Sequence, residues 1–164
     1  FARPDKKLTF DQVDVASAVK ETLAVLDHEM SLNHIAIDKK IPVPSPWVQA
    51  DKGQLRQVLF NLIRNAAQAI DKTPARIAIE VTPRGDEVDI AVTDNGSGIP
   101  KRNLEKLFSP FFTTKDPGKG TGLGLSMVKL LVERNNGRID VLSEEGRGTT
   151  FTVHLRGGVR SAEE

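Results

Sequence analysis

The stretch VDIAVTDNGSGIP, Val88 to Pro100, passes from strict alternation straight into a turn. Val88, Ile90, Val92 and Asp94 share one parity, and so one face of the expected strand. If the aliphatic side chains face a core, Asp94 points inward at the strand's end, where a carboxylate is costly unless something donates to it. Two readings stay open on these residues alone. Asp94 can close an Asx-turn through nearby backbone amides. It can also accept from a ligand, for instance the exocyclic amino group of a purine, with Gly96 and Gly98 letting the backbone pass close to a flat ring.

Working outward, RIAIEV (Arg76–Val81) precedes this strand across the turn PRGD, and RIDVLSE with TTFTVHLR forms a later hairpin closed by EGRG. Residues 1–13 read as a linker running into a short edge strand that carries Leu8 and Phe10. Helical spacing of Val15, Val19, Leu23, Leu26 and Met30 predicts a helix from Asp14, its cap, to about Leu32. HIAIDKKIPV alternates as a strand and IPVPSPW breaks it. Asp51 opens a second helix to about residue 71, with Leu55, Val58, Leu59, Leu62, Ile63, Ala66 and Ile70 as its apolar stripe. KRNLEKLF predicts a short helix, SPFFTTKDPGKG a loop, and Thr121 to Asn135 a third long helix ended by NNG. Three long helices are too few to cover both faces of a sheet. The expected fold is therefore α+β, a two-layer sandwich with helices on one face of a mixed, mostly antiparallel sheet. The expected domain runs over 8–156, with 1–7 as linker and 157–164 as a disordered tail.

The 164 residues suit one domain, and 38% hydrophobic with 27% charged is ordinary for a globular chain. A net charge of +1 and dispersed Lys and Arg argue against nucleic acid or an anionic membrane as partner. The absence of Cys excludes disulfides, thiolate metal sites and cysteine nucleophiles. No apolar run reaches membrane-spanning length. A start on Phe1, without Met or a signal peptide, reads as a piece of a larger protein.

Three further patterns could carry chemistry. Gln57, Asn61 and Asn65 recur at i, i+4 on one helix face, although asparagine is a poor helix former. They are either a solvated stripe or amide oxygens for a hard cation such as Mg²⁺. GKGTGLGLS (Gly118–Ser126) leads four glycines into a helix, whose amino end favours an anion. It is neither a dinucleotide fingerprint nor a Walker loop, so it is a phosphate loop of another kind or a hinge. Phe108, Phe111 and Phe112 are unusual apolar residues for a loop. His28, His34 and His154 read as structural.

Together these pieces resemble the ATP-binding catalytic domain of bacterial sensor histidine kinases, in the superfamily shared with type II topoisomerases, the large heat-shock chaperone and mismatch-repair ATPases. QVLFNLIRNAAQA resembles the asparagine box, DNGSGIP and GTGLGLSMVK the two glycine boxes, LFSPFFTTK the phenylalanine box, and EGRGTTF the closing glycine-threonine element. The resemblance covers about Leu8 to Leu155. It implies a pocket between helices and sheet, under an ATP lid at about 109–121. Asp94 would take the adenine amino group with Thr149 nearby, and Asn65 with Asn61 would hold Mg²⁺. The implied ATP-binding set also includes Arg64, Gly96, Gly98, Ile99, Lys115, Gly120, Thr121, Gly122, Leu123, Gly124 and Leu125, with Phe108, Phe111 and Phe112 packing the lid. Many relatives carry a basic residue where this chain has Gln68, so Lys115, Arg64 or Lys119 would have to neutralise the phosphates. Hydrolysing relatives usually carry a glutamate base where this chain has Asn61, which disfavours water activation. The implied function is transfer of the γ-phosphate from ATP·Mg²⁺ to a histidine on a separate dimerisation and phosphoacceptor hairpin, and onward to a response regulator. The alternatives are a stand-alone ATPase and a nucleotide-sensing docking module. The piece is expected to be cytoplasmic and monomeric, with the parent's membrane attachment left open.

Overall fold

The computed structural model describes residues 10–110, 112 and 124–158. In chain order the elements are β1 (Asp11–Asp14), α1 (Val15–Leu32), β2 (Ile35–Lys40), β3 (Trp47–Ala50), α2 (Lys52–Ala69), β4 (Ala75–Arg84), β5 (Glu87–Asp94), α3 (Lys101–Leu104), α4 (Gly124–Arg134), β6 (Arg138–Glu144) and β7 (Gly148–Arg156). Five strands form one sheet in the order β2-β4-β5-β7-β6. Only the β2–β4 pairing is parallel in that sheet; the others are antiparallel.

Alternation decides which face is covered. Ile77, Ile79 and Val81 of β4, Val88, Ile90 and Val92 of β5, and Phe151, Val153 and Leu155 of β7 are all buried. They join one apolar cluster with Val15, Val19 and Leu26 of α1, Leu55, Leu59, Leu62 and Ile63 of α2, and Val128, Leu131 and Val132 of α4. This is the expected two-layer α+β arrangement. Asp51 caps α2 as expected, its carboxylate accepting from the Gln54 N–H at 3.0 Å.

Three details depart from the sequence reading. Asp14 precedes α1, but its carboxylate accepts from the Ser17 hydroxyl rather than from a helix amide. The first turn is capped instead by Ser45, whose Oγ accepts from the Ala16 N–H at 2.9 Å. WVQA, passed over after the proline-rich break, is β3; it pairs antiparallel with β1 in a separate two-stranded sheet. Gly157 and Gly158, expected in a disordered tail, are bonded: the Gly157 N–H donates to Asp86 O at 2.7 Å, and the Gly158 N–H to Trp47 O at 2.6 Å. The rest of the expected tail, like Leu8 and the linker, lies outside the described residues. No described helix is long and apolar enough to cross a membrane.

The sheet's other face is polar and ionic. His154 of β7 lies between two carboxylates, with Asp89 Oδ1 2.6 Å from Nδ1 and Asp140 Oδ2 2.7 Å from Nε2. Asp89 is buried and also accepts from Arg84 Nε. The histidine is structural, as expected, and it ties three strands together. His154→Ala should therefore leave a buried carboxylate short of a partner and cost about 1–3 kcal/mol. Urea denaturation checks this, and an unchanged midpoint would refute it.

Candidate functional site

Asp94 is the last residue of β5 and is buried on the helix-covered face, as its parity requires. Its Oδ1 accepts from the Gly96 N–H at 2.8 Å. That is the Asx-type bond of the simpler reading, and it leaves further lone pairs on the carboxylate for a ligand. The two readings are thus compatible: the turn orients the acid. Burial pushes the Asp94 carboxyl above its ordinary 3.8, while the Gly96 and Thr149 amides and the Lys72 charge pull it part of the way back.

The loop after Asp94 is fixed from both sides. Ser97 N–H donates to Ala69 O at the end of α2 at 3.1 Å, and Gly146 N–H in the β6–β7 turn donates to Ser97 O at 2.7 Å. Asn95 clamps the start of β4 by accepting from the Arg76 N–H and donating to Pro74 O. Glycine is required here by contact. A Cβ at Gly96 would sit 2.3 Å from Ala69 O, and one at Gly98, whose φ is +76, 2.2 Å from Glu144 O. Ile99 is half-buried beside them, its N–H donating to Ser143 Oγ at 2.7 Å. Thr149 is buried and pairs with Asp94 across the β5–β7 ladder.

The amide stripe of α2 is partly covered: Asn61 and Asn65 are half-buried, and neither makes a side-chain hydrogen bond among the described residues. Arg64 is exposed. Its guanidinium is drawn to α1, with Nε 3.5 Å from Glu29 Oε1, and it lies over the Phe60 ring. That contact links α2 to α1 on the surface. Phe108 packs edge-on against Phe151 with centroids 6.3 Å apart, and Phe112 also packs on the core. Leu125 is half-buried against the core, whereas a Cβ on Gly124 would meet no atom within 4 Å among the described residues. Phe111, Lys115, Lys119, Gly120, Thr121, Gly122 and Leu123, with most of the expected lid, lie outside the described residues.

The contacts that three further residues make around Asp94 or Thr149 were not foreseen from the sequence. Lys72 donates to Gly146 O at 2.7 Å and its charge acts on Asp94. Ser143 contacts Thr149. Gly148, read as a turn residue and as part of the closing glycine-threonine element, has φ +135, and a Cβ there would fall 2.0 Å from Asp94 O. None carries a local signal, because each reaches Asp94 only through strand pairing or loop closure.

This architecture has known relatives. Residues 50–158 match the family described as "Histidine kinase-, DNA gyrase B-, and HSP90-like ATPase". The chain belongs to that ATPase family. Over 148 residues it is 38% identical to the sensor histidine kinase ZraS of Escherichia coli (strain K12), a match covering 90% of this chain and 31% of ZraS. The chain thus spans about a third of that relative's length. The catalytic domain of the histidine kinase ThkA has the same fold, with a TM-score of 0.81 and 30% identity over 90% of this chain and 95% of that one. Full-length ShkA in complex with AMPPNP aligns with a TM-score of 0.84 and 25% identity, over 97% of this chain and 33% of ShkA. In that fold Asp94 stands at the carboxyl end of β5, on the helix-covered face of the sheet.

Asp94 generates a pH prediction. Because its folded carboxyl holds a proton more tightly than the unfolded one, it favours folding most below about 3.8 and loses that contribution as pH rises through the raised value. The stability of the wild type relative to Asp94→Asn should therefore decline as pH rises from about 4 towards neutrality. Thermal midpoints of both proteins across that range measure it; a difference that grew with pH would contradict the burial argument.

Proposed function

We propose that this domain binds ATP with Mg²⁺ and transfers the γ-phosphate to a histidine on a separate dimerisation and phosphoacceptor domain, which passes it to a response regulator. The observation that carries the proposal is Asp94: a buried carboxylate, oriented by Gly96, with acceptor capacity left over and glycine backbone beside it. An adenine amino group supplies the missing donor, and the purine can lie against Gly96, Gly98 and Ile99. The sensor-kinase relatives and the AMPPNP complex of ShkA support the same reading.

The α2 stripe fits a hard cation. Asn61 and Asn65 offer neutral amide oxygens without a competing side-chain bond among the described residues, and Gln57 Oε1 on the same stripe is buried without a partner. Mg²⁺ held there would screen the phosphate charges. Asn65 and Asn61 orient the triphosphate relative to the purine, and Gly120, Thr121, Gly122 and Leu123 ahead of α4, with Gly124 and Leu125 at its start, would wrap the phosphates. Lys115, Arg64 or Lys119 would oppose the phosphate charge, Arg64 by leaving its exposed ion pair with Glu29.

Position 61 favours transfer over hydrolysis. An amide cannot take a proton from water at useful pH, so Asn61 offers positioning without base catalysis. Phosphoryl transfer then depends on bringing a good nucleophile into line. The bond from the γ-phosphorus to the bridging oxygen breaks as a phosphorus–nitrogen bond forms on the histidine, and ADP leaves. Packing of Phe108, Phe111 and Phe112 against the body would let closure of the 109–121 segment accompany nucleotide binding.

Titration calorimetry tests the reading. Asp94→Asn should weaken ATP binding by about ten- to a hundredfold, the scale of one hydrogen bond to a charged group. Unchanged affinity would remove the adenine assignment. Asn65→Ala should abolish the Mg²⁺ dependence of ATP affinity. Mixed with the phosphoacceptor hairpin, the wild-type chain should move labelled γ-phosphate into an acid-labile histidine adduct. Steady phosphate release without that adduct would favour a stand-alone ATPase.

A further inference from the structure

Asp94, Thr149 and Ser143 form a row across β5, β7 and β6, each paired with the next in the ladder. Residues opposed in this way share a face, with Cβ atoms about 4.5–5.5 Å apart. Ser143 stands behind Thr149 and touches three polar neighbours. The Ile99 N–H lies 2.7 Å from its Oγ, the Thr149 hydroxyl 2.7 Å, and the Gly148 carbonyl 3.1 Å.

Counting protons along this row gives it a direction. An N–H can only donate and a carbonyl can only accept, whereas each hydroxyl has one proton to place. Ile99 fills one lone pair of Ser143, and the Gly148 carbonyl draws the Ser143 proton. The remaining lone pair of Ser143 then takes the proton of Thr149. Thr149 is left with lone pairs alone for any further partner, and it stands opposite Asp94 in the ladder.

We propose that Ser143 is a positioning residue that fixes the Thr149 hydroxyl as an acceptor beside Asp94, so that the cleft selects an adenine amino group over a guanine carbonyl. The inference rests on the assignment of the purine to Asp94. Adenine presents two N–H bonds at its exocyclic position, which a carboxylate and a threonine oxygen can receive. Guanine places an oxygen there and meets acceptors only. Without Ser143 the Thr149 hydroxyl is free to rotate and to donate, and the barrier to guanine falls.

The test is the ratio of ATP to GTP affinity, read by competition against a fluorescent ATP analogue. Ser143→Ala should lower that ratio about tenfold, the scale of one neutral hydrogen bond. Ser143→Thr, which keeps a hydroxyl, should preserve it. In a Thr149→Val background, Ser143→Ala should add nothing further, because the hydroxyl it orients is gone. A purely structural role for Ser143 would weaken both nucleotides together and leave the ratio unmoved. An unchanged ratio in Ser143→Ala with ATP binding intact overturns the proposal. Should that variant fail to fold, an unchanged ratio in Thr149→Val overturns it equally. The Asp94→Asn control separates the two claims. Full ATP affinity there defeats the purine assignment, whereas loss of ATP binding there with no selectivity change at Ser143 defeats this inference alone.

Discussion

One buried carboxylate constrains this domain more than any other group. Asp94 ends β5 on the core face, where an aliphatic side chain would fold at lower cost. Its surroundings are shaped to hold it. Gly96 donates to it, and Thr149 stands opposite in the ladder. Gly148 allows the β7 backbone to pass within a distance of the Asp94 carbonyl that no side chain could share. A burial that raises the proton affinity of an acid and then restricts its neighbours to glycine is a local rule broken in an otherwise consistent fold. Such breaks concentrate where a protein recognises something.

The rest of the structure divides its labour between the two faces of the sheet. The helix side is a continuous aliphatic core that positions β5 and α2, and through them Asp94 and the Asn61–Asn65 stripe. The opposite side ties the strands together through polar pairs: His154 between Asp89 and Asp140, and Arg138 on Glu87. The β6–β7 turn links the two tasks. It closes the hairpin, and through Gly146 and Lys72 it is fastened to the loop after Asp94 and to the segment after α2.

What the sequence made legible was what period and local chemistry encode. Alternation placed Asp94 on the core face, the i, i+4 spacing placed Asn61 beside Asn65, and Asp51 capped α2 from three residues away. What it concealed depends on residues distant in the chain. Ser45 caps α1 from a loop 29 positions away, so the local preference of Asp14 for that task was overridden. Four residues of β3 are too short for alternation to stand out after a proline-rich break, and its partner β1 lies far upstream. The ion pair of Arg64 with Glu29 likewise joins α2 to a residue of α1 far from it in the chain. Ser143 and Lys72 approach Asp94 only after the sheet has assembled.

The central claim is that Asp94 is the purine acceptor, and a crystal structure of the domain with AMPPNP and Mg²⁺ tests it most directly. The account predicts the adenine amino nitrogen about 2.7–3.2 Å from an Asp94 carboxylate oxygen. The ring should lie along Gly96 to Ile99 and the phosphates should run toward Asn61 and Asn65. An adenine seated elsewhere, with Asp94 contacting only its own backbone neighbours, would contradict it.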